Sequence, residues 1–108
     1  MVNVSKRNKE VQKVSKSLIS NDQVCHVCGS PFNLHKHHIF FGVANRKKSE
    51  EDGCWCYLCA KHHNFSNEGV HYNKELDMKL KKECEVLWVN KNGTIEDFIK
   101  RYGRNYLD

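Results

Sequence analysis

The chain has 108 residues, 39% of them hydrophobic and 29% charged, with a net charge of +5. One domain is the count this length favours, with a core small enough to need a staple from disulfides or metal. MVNVSKRNKEVQKVSK has no apolar run fit for a signal peptide, and no later stretch is long enough to cross a membrane. The expectation is therefore a reducing cytosolic setting without a membrane partner, and an anionic partner, nucleic acid first.

Residues 3–21 predict a basic amphipathic helix, with Val11, Val14 and Leu18 on one face and Lys6, Arg7, Lys9, Lys13 and Lys16 left polar. It reads either as a solvated helix packed by a thin stripe or as a basic arm along a phosphate backbone. VCHVCGSP (24–31) is a tight cysteine turn and FNLHKHHIF (32–40) a strand. Residues 42–53 read as a polar loop between glycines, with one helical turn where Ser49 and Asp52 match a capping box.

CWCYLC (54–59) is strand-like and AKHHNFSNE (60–68) a short helix before Gly69. Residues 73–89 form the clearest helix, with Leu76, Leu80, Cys84, Leu87 and Trp88 in one apolar stripe. Asn92 and Gly93 stop it, Thr94 caps a last helix, TIEDFIKRY, and Gly103 ends that one. Cys54, Cys56, Cys84, Trp55, Trp88, Phe40 and Phe41 are assigned to core and hairpin packing.

Cys25-x-x-Cys28 has zinc-knuckle spacing and needs two more ligands. Cys56/Cys59 and Cys59/His62 both offer a pair. In an extended CWCYLC, Cys56 and Cys59 point to opposite faces, whereas Cys59 at the strand end and His62 in the next helical turn can converge. The set is therefore Cys25, Cys28, Cys59 and His62, with Cys56 entering only if the strand breaks at Tyr57. That assignment leaves His63 on another side of its helix, able to meet His37 at a divalent ion with His38 beside them.

HKHHIF, the glycine-bounded loop and LCAKHHN resemble the HNH endonucleases, the ββα-metal or His-Me finger group. The resemblance spans about residues 25–64, and the tail GVHYNKELDMKLKK through YGRNYL looks like small phage-type members. It implies an α+β fold: a zinc-stabilised ββα-metal core (24–68) flanked by the N-terminal helix (1–23) and C-terminal helices (69–108). It also implies His38 as general base, His37 and His63 as ligands of the catalytic ion, and Zn2+ on Cys25, Cys28, Cys59 and His62.

The implied activity is hydrolysis of DNA phosphodiester bonds to 5′-phosphate and 3′-hydroxyl ends, with Mg2+ or Mn2+, or with Ni2+ or Zn2+ on imidazole ligands. One site per chain implies nicking, unless two chains pair as a homodimer. A phage-encoded member would act in the cytoplasm of a bacterial host cell. The family's middle Asn has no counterpart, because its position falls on Cys54; Asn45, Ser49 or the loop backbone are the groups able to stand in.

Arg46, Lys47 and Lys48 are candidate phosphate contacts, or else a charge run balanced by Glu50, Glu51 and Asp52. His35 reads as a partly exposed strand histidine, with an outer-shell role as the alternative. His71 reads as lying on the approach to the next helix, with the active site or a phosphate as its other place. Asn64 is a stand-in or support for His63. The rivals to a nuclease are a zinc-stabilised DNA-binding module that does not cleave and a partner protein whose histidines bind only structural metal.

Overall fold

Neither of the two strands among the described residues contains a β-branched residue; LHKHH and WCYLC are built largely on histidine, cysteine and aromatic side chains. The computed structural model describes residues 16–65 and 69–107. In it β1 (Leu34–His38) pairs antiparallel with β2 (Trp55–Cys59). The register sets His35 against Leu58, Lys36 against Tyr57, His37 against Cys56 and His38 against Trp55. Alternation then puts His35 and His37 on one face, and Lys36 and His38 on the other. A two-stranded hairpin is marginal in water by itself, and helices supply the rest of this α+β fold.

The loop expected at 42–53 is a ten-residue helix, α1 (Val43–Asp52). Its composition explains the misreading: Ser49 is its only buried residue, so there is no apolar stripe to detect, although Ala, Arg, Lys and Glu are good helix formers. Ser49 lies inside the helix and does not cap it. Its hydroxyl donates to the Phe40 carbonyl (2.7 Å) and accepts from the Phe40 N–H (3.2 Å), tying α1 to the chain that leaves β1. Gly53 ends α1 in the left-handed region (φ 79°), and a Cβ there would lie 2.2 Å from the Lys16 carbonyl oxygen. Only glycine satisfies both demands.

That approach also corrects the C-terminal end of the helix expected over 3–21. Residues 16–21 are not helical, and 1–15, with Lys6, Arg7, Lys9 and Lys13 of the basic face, lie outside the described residues. The Ser17 hydroxyl accepts from the Ile19 and Ser20 N–H groups and donates to the Trp55 carbonyl, while the Leu18 N–H bonds the Gly53 carbonyl. A serine that binds nearby backbone in this way competes with helix formation.

After β2 comes a single π-helical turn, Lys61–Phe65. Then follow α2 (Lys74–Asn92), capped by the Asn73 side chain on the Leu76 N–H, and α3 (Ile95–Tyr102), opened by a reciprocal Thr94/Asp97 capping box and closed at Gly103. The α2 stripe buries Leu80, Cys84 and Trp88, and with them Glu85, whose Oε1 accepts the Tyr106 N–H at 2.7 Å. The core gathers Ile39, Phe40, Leu58, Leu80 and Phe98, with the Phe40 ring 5.1 Å from Phe98 and 4.6 Å from Tyr102. Cys54, Cys56, Trp55 and Trp88 are core as expected; Phe41 is 43% exposed and is not. Among the described residues no helix is long and apolar enough to cross a membrane.

Asp52 joins α1 to α2 and α3. Its carboxylate accepts from the Trp88 indole (2.9 Å), the Tyr102 hydroxyl (2.7 Å) and, through both oxygens, Arg101. Asp52→Ala leaves three donors without their acceptor; because Arg101 is partly solvated, the expected loss is about 2–3 kcal/mol, read as a lower urea midpoint. An unchanged midpoint would mean that α3 is docked without the Asp52 bonds, by apolar packing together with Asn45, Lys48 and Glu51.

Candidate functional site

Among the described residues, two clusters of ligand-type side chains flank the π-helical turn. In the first, Cys25, Cys28, Cys59 and His62 bring one donor atom each to within 4.8 Å of one another and could hold a metal such as zinc. The Cys28 and Cys59 sulfurs are 3.8 Å apart, and His62 Nδ1 lies 3.4 Å from Cys59 Sγ and 3.8 Å from Cys25 Sγ. Zn–S bonds of about 2.3 Å in a tetrahedron require S···S edges of about 3.8 Å, so these separations fit. Burial pushes the Cys25 thiol up, but the backbone N–H groups of Cys59, Cys28 and Val27 outweigh it and bring it down to about 6, toward the ligating thiolate.

The pairing deduced from strand alternation holds. Cys56 stands opposite His37 inside the sheet, and burial pushes its thiol up to about 12. The knuckle is also tied to the hairpin, through the His26 N–H on the Tyr57 carbonyl (2.8 Å).

The second cluster is His37, His63 and His71. His37 projects from β1, His63 from the π-helical turn, and His71 from the chain that folds back after it. That return depends on Gly69, where a Cβ would lie 2.8 Å from the His63 carbonyl oxygen. The Val70 and His71 N–H groups bond the His62 and His63 carbonyls, and His63 Nε2 and His71 Nε2 come within 3.2 Å. His37 is 2% exposed, with Nε2 buried and without a hydrogen-bond partner. Burial, reinforced by His63, His71, His38 and Lys81, holds His37 down at about 3. Burial, then His71 and His35, holds His63 at about 4. Both imidazoles are neutral at ordinary pH, the form that ligates a cation.

His38, on the other face of β1, does not join that cluster. Its Nε2 lies 2.7 Å from Oε1 of Glu50 on α1, and Lys36 Nζ meets the same carboxylate at 3.1 and 3.3 Å. Burial would raise the Glu50 carboxyl, but the bonds from His38 and Lys36 prevail and hold it below its ordinary value. A carboxylate only accepts, so His38 donates from Nε2 and keeps its lone pair on Nδ1. A cavity of about 190 Å³ is lined by Lys36, His38, Phe41, Arg46, His63 and His71.

The other candidates divide. Arg46 lines that cavity, and Lys47 is exposed along a neighbouring groove with His38 and Glu50. Lys48 is drawn aside, its ammonium donating to the Arg101 carbonyl at 2.8 Å. Ser49 ties α1 to Phe40 after β1, while Asn45 bonds the Tyr102 carbonyl. Asn64 is exposed.

Sequence reasoning misses one residue here and underweights two. Glu50 reads in sequence as part of a charge run, because a polar helix without an apolar stripe gives no periodicity to place it against β1. His71 was assigned to the helix approach, although Gly69 just before it signalled a close turn. His35 is half-buried, its Nδ1 2.9 Å from His63 Nδ1. Comparison with protein-family models, curated proteins and solved structures finds no match to this chain.

Proposed function

We propose that the protein is a metal-dependent DNA endonuclease of the HNH, ββα-metal type, stapled by zinc on Cys25, Cys28, Cys59 and His62. The observation that carries the reading is the cavity shared by His38, His63 and His71 with the cations Lys36 and Arg46, with His37 clustered against His63 and His71. The donor set suits a divalent cation, since neutral imidazoles converge and one of them, His37, keeps a buried nitrogen unsatisfied, which costs about 1–3 kcal/mol when nothing binds it. With three imidazoles and no carboxylate, Mn2+, Ni2+ or Zn2+ is better suited than Mg2+. When bound, the ion neutralises phosphate charge and eases departure of the leaving oxygen.

The chain's own groups account for the remaining roles. Glu50 accepts the His38 Nε2–H, holds the ring in one tautomer and stabilises the imidazolium that forms when Nδ1 takes a proton from the attacking water. Lys36 and Arg46 hold phosphate oxygens, and Lys47 extends the cationic surface along α1. The net charge of +5 favours DNA approach at low salt.

Zinc-loaded wild type is expected to convert supercoiled plasmid to nicked circles when Mn2+ or Ni2+ is added. His63→Ala is expected to keep its fold and zinc but lose the ion-dependent cutting. Folded wild type that binds plasmid salt-sensitively and leaves it intact with every ion would replace this reading with a zinc-stabilised DNA-binding module.

A further inference from the structure

His63 has both ring nitrogens in contact with other imidazoles. Its Nε2 is 3.2 Å from His71 Nε2, and its Nδ1 is 2.9 Å from His35 Nδ1. The His35 and His63 rings are nearly perpendicular, at 82° with centroids 5.0 Å apart. A neutral imidazole carries one N–H and one lone pair, so the two contacts of His63 are chemically different. A proton on Nε2 would face His71 and block ligation from that atom. A proton on Nδ1 can be donated to His35, which leaves the Nε2 lone pair directed toward the His37/His71 cluster. His35 lies outside the set of residues whose donor atoms converge there, but the two-residue strand period puts it on the same face of β1 as His37.

We infer that His35 is a positioning residue: it accepts the His63 Nδ1–H through its own Nδ1 and so fixes His63 in the tautomer whose Nε2 can bind a divalent cation. This inference rests on the metal reading of the His37/His63/His71 cluster. Its own proton then sits on Nε2. Outer partners of this kind set the orientation and basicity of a ligating histidine, and losing one lowers metal affinity by about 10–100-fold.

The test uses the full chain with its zinc in place and Ni2+ as the probe, titrated calorimetrically, with imidazole nitrogen NMR to locate the His63 proton. His35→Asn keeps an acceptor oxygen near the position of Nδ1, whereas His35→Leu keeps the bulk and removes the acceptor. His35→Leu is expected to weaken Ni2+ binding by about 10–100-fold and to lose the Nδ1–H signature of metal-free His63. His35→Asn is expected to retain both.

If His35→Leu binds Ni2+ like wild type while His63→Ala does not, the metal site stands and the role of His35 is overturned. Equal weakening by Leu and Asn would mean that ring packing, and not acceptance, is what His35 provides, which also overturns it. If wild type and His63→Ala titrate alike, the metal reading fails and takes this inference with it.

Discussion

Stripping the metal from the Cys25/Cys28/Cys59/His62 site is expected to unfold the protein. Structural zinc in small domains contributes about 10 kcal/mol or more of apparent folding free energy, and a domain of this size has a total stability of only about 5–15 kcal/mol. The four side chains belong to the knuckle at 25–28, the end of β2 and the π-helical turn, so an ion held there would tie three segments together and its loss would release them at once. Among the described residues all six cysteines are free thiols, so no disulfide substitutes for the ion. Chelation should abolish the cooperative thermal transition, and zinc should restore it. Cys59→Ser should behave like the chelated protein, whereas Cys56→Ala, a change in the sheet interior, should remain zinc-dependent and cooperative with a lower midpoint. A chelated chain that still melts cooperatively near the original temperature would show that the aromatic core is sufficient.

His38→Ala is expected to lower plasmid nicking by about 10²–10⁴-fold, the usual contribution of a positioned general base, with zinc content and Ni2+ affinity unchanged. The separation of roles follows from the sheet: His37 and His38 are adjacent in sequence but face opposite sides of β1. Removing the second imidazole therefore leaves the His37/His63/His71 cluster alone. Glu50→Ala is expected to produce a smaller loss in the same step, because the ring loses its anchor but keeps its lone pair; Lys36 loses its carboxylate partner at the same time. Full activity in His38→Ala would remove His38 from the chemistry, and an equal fall in Ni2+ affinity would place it with the ligands.

The parts legible in the sequence depend on short spacings. Cys25/Cys28 and Cys59/His62 are each three apart, and strand alternation favours His62 over Cys56 as the partner of Cys59, leaving only a break at Tyr57 for the structure to exclude. The end of α2 is marked by Asn92 and Gly93, and the ends of α3 by Thr94 and Gly103, because a cap bonds backbone within one turn of itself. The α2 stripe of Leu80, Cys84 and Trp88 announced its buried face in the same local way.

What the tertiary structure decided concerns groups whose partners are distant or whose pattern is polar. α1 carries no apolar stripe, and contacts from Asp52, Asn45 and Lys48 to the region of α3 hold it on the fold. That docking brings Glu50 to His38 and ties Lys48 to a carbonyl, two outcomes that a run of mixed charges cannot distinguish. His71 reaches His63 only because the chain folds back at Gly69. The sequence by itself thus determined which side chains could ligate or accept protons and where most elements end, because those properties are intrinsic to residue type and to bonding within a turn. Which imidazoles meet was decided by long-range packing, since a 3 Å contact between side chains many residues apart depends on how strand, turn and helix are docked.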